Sequence, residues 1–274
     1  MNWSRVRTVA RTDLKQLIES KDFWLPMVIL GAIFFFVIPV SLLFAVTRVQ
    51  DARVVEQLAT TLEVLPKKTQ AAIPTASPAG RTSYALAVFL LAPVAIVVPL
   101  TISTAVGAAT LVGERERGTG EFLAHTPAHV REIYLGKLIA SIIPGYLTTI
   151  VGFGVYSLVV NVLVGPEVGH WFFPTKQWWI LMFWVVPPFL ALTLSIVLRL
   201  SARVTSTAAA QQASGLVTLP LIGIAYSQAT GALFGASTIS FTVGAIAWVV
   251  AGFALARGMK AVSRQRLLGV ADGI

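Results

Sequence analysis

The residues best suited to chemistry in this chain lie between Gly113 and Lys137. The run reads Gly-Glu-Arg-Glu-Arg-Gly-Thr-Gly-Glu-Phe-Leu-Ala-His-Thr-Pro from 113 to 127, and Glu-Ile-Tyr-Leu-Gly-Lys from 132 to 137. Glu114 and Glu116 are alternate residues, but no nucleophile or bounded pocket accompanies them, so a general acid–base pair is not indicated. His125 and His129 are four apart, yet a metal site needs further ligands in fixed geometry, and Pro127 breaks the helix that would align the two. Gly136-Lys137 is the only Gly-Lys pair. A phosphate cradle requires Ser or Thr next and a glycine five positions earlier; the chain has Leu138 and Arg131 there. With no cysteine, disulfides, thiolate metal sites and cysteine nucleophiles are excluded. The chain is therefore expected to bind no metal or cofactor of its own and not to be an enzyme.

What the run can do is dock. Glu114, Arg115, Glu116 and Arg117 alternate in sign, so this knob is nearly neutral but rich in hydrogen-bonding groups. Gly118 and Gly120 permit a sharp turn. Glu121, Phe122 and Leu123 set a carboxylate beside two apolar anchors, and Pro127 fixes the angle of return. A solvated loop has no use for Phe122 and Leu123. A surface that seats in another protein's groove does: apolar anchors give affinity and charges give register.

A second set of residues forms stripes. Thr207, Gln211, Ser214 and Thr218 recur at steps of 4, 3 and 4, one polar line on an otherwise apolar helix. Ser103, Gly107 and Thr110 make a shorter line of small residues. Both stripes suit a polar pathway through a membrane or a seam between two copies. Close helix packing is the alternative, because small and hydroxylated residues also bring helices together in lipid. Gly145, Thr149, Gly152 and Tyr156 fit ordinary packing.

The elements that carry these residues follow from composition. Of 274 residues, 56% are hydrophobic and 12% charged, about half the charge of a soluble domain; mean hydropathy is +0.79. A soluble enzyme, a disordered chain and a nucleic-acid binder are excluded, although the net charge is +9. Uncharged stretches predict six membrane helices, at 24–47, 84–112, 137–164, 178–199, 204–227 and 237–256, each long enough to cross about 30 Å of hydrocarbon. The turn chemistry of Gln228-Ala229-Thr230-Gly231 divides the last two. Pro93, Pro99, Pro187 and Pro188 are expected to kink their helices. Apart from Lys137 and Arg199 at span ends, no Asp, Glu, Lys or Arg falls within a predicted span, which argues against a self-powered secondary transporter. No internal repeat is visible.

Fifteen of the 21 basic residues fall on one side: the N-terminus, the 113–137 segment, Arg199, Arg203 and the tail from Arg257. The bias puts both termini in the cytoplasm, and attraction to anionic headgroups accounts for the rest of the positive charge. The first apolar run exceeds a signal peptide's core and is read as a retained span. Residues 1–22 read as an amphipathic interfacial helix: Trp3, Val6, Ala10, Leu14 and Leu17 share one face, and Arg7, Arg11 and Lys15 flank it toward lipid phosphates. Residues 23–257 form the transmembrane domain, and 258–274 a cytoplasmic tail. In the outer loop at 48–82, Val54, Leu58, Leu62 and Leu65 predict a short helix ended by Pro66, with an irregular return past Pro74, Pro78 and Gly80. The second outer loop is aromatic (Trp171, Phe172, Phe173, Trp178, Trp179), as expected of a membrane–water belt.

The 113–137 run resembles the ABC-2 family of transporter permeases, the membrane subunits of ATP-binding-cassette exporters. Glu114, Glu116, Gly118, Thr119, Glu121, Leu123, Pro127, Glu132, Ile133, Gly136 and Lys137 match that pattern; Gly120 departs from it, standing where leucine is commoner. Ser201-Ala-Arg-Val-Thr-Ser with Ala209-Ala-Gln-Gln212 and Leu219-Pro220 is similar to the sodium- and drug-efflux-like branch, and Asp13-Leu-Lys agrees. The resemblance implies an all-α fold of six spans acting as half of a dimer, with a second copy or a paralogous permease. Separate ABC ATPase subunits holding ATP and Mg would dock on a coupling helix formed by Glu114, Glu116, Gly118, Thr119, Glu121, Phe122, Leu123 and Pro127. It further implies a multi-pass protein of a prokaryotic plasma membrane. A pathway with hydroxyls and amides but no charge favours a drug, lipid, peptide or other small amphipathic cargo, with sodium or a folded cofactor-bearing cargo as the alternatives. An ATP-independent channel, a membrane assembly factor or a ligand sensor on the same fold are the competing readings.

Overall fold

A computed structural model describes residues 1–49, 60, 65–116, 126–201 and 237–261. Within them the chain is helical and contains no strand. Helix α1 spans Trp3–Glu19, opened by the Asn2 side chain, which accepts the Ser4 N–H at 3.0 Å. Extended Ser20 is all that separates it from α2, Lys21–Val49. After the one-turn helix α3 (Lys67–Ala71) comes α4, which is Pro78–Ala85 followed by a π-turn at Leu86–Leu90. Then follow α5 (Val94–Glu116), α6 (Val130–Leu163) and α7 (Gly165–Val168). Helix α8 runs through Lys176–Ile180, a π-turn at Leu181–Val185 and Val186–Ser201, and α9 is Ser237–Ala261.

Five stretches among the described residues are long and apolar enough to cross a membrane: Lys21–Val49, Pro78–Ala109, Val130–Leu163, Lys176–Leu198 and Thr238–Met259. They overlap the first four and the last of the predicted spans; the span expected at 204–227 lies outside the described residues. Two boundaries move. Helix α6 starts seven residues before the predicted span, so Glu132 and Lys137 sit inside a continuous helix and are buried. The outer loop expected to run to 82 ends sooner, because Ser77 caps α4 through the Gly80 N–H at 3.0 Å and Pro78 takes the first helical position. The helix expected from Val54 to Leu65 falls mostly outside the described residues; Pro66 opens α3.

Helix α6 is the hub. It packs along α5 on one side and carries α1 at its N-terminal end, while α8 joins α5 to α9. The break expected at Pro93 is real: the chain turns at Leu91–Pro93 between α4 and α5. In the π register Pro93 has no N–H for the Val88 carbonyl, and Ala92 N–H turns to Phe89. Buried side chains fill both gaps. Trp178 Nε1 donates to Val88 O at 3.0 Å, and the Tyr156 hydroxyl donates to Ala87 O at 2.6 Å. An unmatched carbonyl has no water to turn to at this depth.

These bonds explain why the aromatic loop is only partly a belt. Trp171 and Trp179 are exposed, but Phe173 and Trp178 are core residues, packed with each other at 5.0 Å and with Tyr156 at 5.3 and 5.4 Å. Asn161 tethers the loop: its Nδ2 donates to Phe173 O at 2.6 Å, and its Oδ1 accepts the N–H groups of Phe172 and Phe173.

Candidate functional site

The described part of the 113–137 segment is built around Glu132. At the third position of α6, its carboxylate accepts the His129 N–H at 3.0 Å, the return bond of a helix-opening box. The same carboxylate accepts the Asn2 N–H at 2.6 Å and lies 3.7 Å from the Arg5 guanidinium. Arg5 also donates to the Pro127 carbonyl at 2.8 Å. Thus the first turns of α1 hold the chain where it re-enters α6.

One turn further along α6, Lys137 Nζ meets Asp13 Oδ2 at 3.4 Å, with the two side chains 0% and 7% exposed. Between these polar anchors the helices nearly touch. A Cβ added to Gly136 would lie 2.7 Å from the Val9 side chain and 3.1 Å from the Val6 carbonyl, so glycine sets how close α1 can come. Val6, Ala10 and Leu17 are buried beside Asp13 on the docked face of α1, worth roughly 1.5–3 kcal/mol for each full-sized apolar side chain. Below the contact, Ile133, Tyr134 and Leu138 pack with Leu194 and Leu198 of α8 and with Leu255 and Met259 of α9.

Asn2, Arg5 and Asp13 were not anticipated as partners of this segment. Asp13 left a signal: it falls three residues after Ala10 and four before Leu17, a carboxylate on an apolar face, where an ion pair or a neutral form is required. Of the residues expected to couple, Pro127 is exposed and its carbonyl is held by Arg5. Glu114 and Glu116 lie in the last turn of α5. Gly118, Thr119, Glu121, Phe122 and Leu123 lie outside the described residues.

Of the stripes, Thr207, Gln211, Ser214 and Thr218 lie outside the described residues, and Thr110 sits in α5. Ser103 is buried against Gly145 of α6, where an added Cβ would overlap its hydroxyl and come 2.6 Å from the Pro99 carbonyl. Gly107 faces Leu194 of α8, 2.8 Å from where its Cβ would stand. The open side of α5 is a different line: Thr101 and Ala105 are exposed, and Val97 and Ala109 half-buried, at steps of four.

A family model described as "ABC-2 family transporter protein" matches residues 7–264, taking in α1 from Arg7, every described span and the whole 113–137 segment. No curated protein matches.

Proposed function

From the premise that this chain belongs to the ABC-2 transporter family, we propose that it is the membrane permease subunit of an ATP-binding-cassette exporter. It works as half of a dimer with a second copy or a paralogous permease. ATP and Mg bind in separate ATPase subunits, since the sequence offers no phosphate cradle. The single observation carrying this reading is the match over 7–264 together with the motif it encloses, from Glu114 to Lys137 between α5 and α6. Glu114, Glu116, Gly118, Thr119, Glu121, Phe122, Leu123 and Pro127 form the docking knob. The bonds of Arg5 and Glu132 hold the knob's trailing end to α1 and α6, so a push there is delivered to two helices together.

The pathway is lined by the Thr207, Gln211, Ser214 and Thr218 stripe and, from the second span, by the open Val97–Thr101–Ala105–Ala109 side. Ser103 and Gly107 support that span from behind. A pathway with hydroxyls and one amide but no charge suits a drug, lipid, peptide or similar amphipathic cargo. Both termini are cytoplasmic, in a prokaryotic plasma membrane, and export is the direction of transport. Co-expression with the ATPase subunit encoded nearest the chain tests this. A stable complex should form, and cargo-stimulated hydrolysis should require both partners. Hydrolysis by the purified chain alone, or no complex with any cassette ATPase, overturns the reading.

A further inference from the structure

The apolar period of α1 is used up on protein: Val6, Ala10 and Leu17 lie against α6. Yet α1 keeps a second apolar set outward. Trp3 is 63% exposed and Ile18 71%, with Leu14 half-buried. Arg7 and Arg11 are exposed and complete the line Trp3, Arg7, Arg11, Leu14, Ile18, at steps of 4, 4, 3 and 4, which is one face of a helix. Lys15 borders it and pairs with Glu19 at 3.7 Å, while neither arginine is ion-paired among the described residues. Two large exposed apolar side chains beside two unpaired arginines are not what an aqueous surface selects.

The geometry points to this outer face of α1 as a docking surface for an anionic membrane leaflet. Two observations fix the occupant. Only Ser20 separates α1 from α2, which enters the membrane at Lys21, so α1 is tethered at the leaflet surface. The face is also cationic and apolar at once, with Trp at one end and Ile at the other, the composition that seats at headgroup depth. Helix α1 is thus clamped on two sides, by the buried Asp13–Lys137 pair and by phosphates held at Arg7 and Arg11. The inference rests on the membrane spans and not on ATP coupling.

The chain's lack of cysteine makes the test direct. Spin labels are placed singly by Trp3→Cys, Ile18→Cys, Thr8→Cys and Thr12→Cys in the full chain. The protein is reconstituted in phosphatidylcholine vesicles with and without phosphatidylglycerol. Relaxation by oxygen is compared with relaxation by a water-soluble nickel chelate. Labels at 3 and 18 should be immersed in the anionic vesicles, and those at 8 and 12 should stay in water. Each surface-bound arginine contributes about fivefold, so Arg7→Gln/Arg11→Gln should shift the immersed-to-lifted ratio by roughly 25-fold. With the arginines intact, raising salt should shift it the same way. Immersion independent of phosphatidylglycerol, arginine and salt overturns the proposal, as does equal exposure at all four sites. Spin–spin coupling between labels at 3 or 18, showing a second copy on this face, overturns it too.

Discussion

Lys137 holds a charge where no water reaches it, and Asp13 is its visible counter-ion. Two charges taken from water regain at best roughly what desolvation costs, so the pair is better understood as a register pin than as a source of stability. Removing one member is different, because the other is left buried and uncompensated, at a cost of roughly 3–5 kcal/mol. Lys137→Met and Asp13→Asn should each lower the melting temperature of the detergent-solubilised chain sharply, while Asp13→Leu/Lys137→Met should recover most of the loss. Single variants that melt with the parent would show that α1 does not depend on the pair. The Glu132, Gly136 and Lys137 positions were legible as a motif, but not their task. A sequence shows that glycine and lysine stand side by side. It does not show that a helix whose Asp13 lies 124 residues before Lys137 packs across them, because contact between distant segments has no local periodicity to announce it.

At the scale of the helix, period was legible and partner was not. The spacing of Val6, Ala10 and Leu17 marks α1 as amphipathic, but hydrophobicity does not distinguish lipid from the side of α6, and the structure assigns that face to α6. The stripe on α5 left the same choice open: Ser103 and Gly107 are spaced as either a pathway or close packing would require, and their neighbours within the chain are Gly145 and Leu194. The α4–α5 break was announced by Pro93, while its rescue by Tyr156 and Trp178 came from two other helices. The knob allows a sharper expectation. Its trailing end is fixed by Arg5 and Glu132, so changes at its tip should alter docking without loosening α1. Glu121→Ala, Phe122→Ala and Leu123→Ala should each leave the melting temperature near that of the parent and weaken ATPase binding. An apolar anchor contributes roughly 1.5–3 kcal/mol, tenfold or more in affinity. If all three bind the ATPase subunit and transport as the parent does, the knob is not the coupling element.

The whole molecule poses a question of parity. Helices α8 and α9 run side by side in the same direction. Trp184, early in α8, stacks on Phe241, early in α9, at 4.8 Å and donates to its carbonyl at 2.9 Å. Leu194 and Leu198, late in α8, join Leu255 and Met259, late in α9, in one cluster with the first turns of α6. Ser201 therefore sits at the α1 end of the bundle and Ser237 at the far end. Two parallel neighbours need a connection that returns across the layer between them, just as parallel strands need a crossover. Residues 204–227 carry no charge and are long enough to make that return. A crossing there would bring the count to an even number and would set both termini on one side, as the bias of fifteen of 21 basic residues leads one to expect. A reporter active only outside the cytoplasm should therefore give signal after Ala76 and after Ala229. It should give none after Ala128, after Arg203 or at the C-terminus. Signal on both sides of 204–227, at Arg203 and Ala229 alike, would mean that the chain does not cross there. Helix α9 would then start on the side where α8 ends, against the shared direction of the two helices, and the orientation proposed for the tail would reverse.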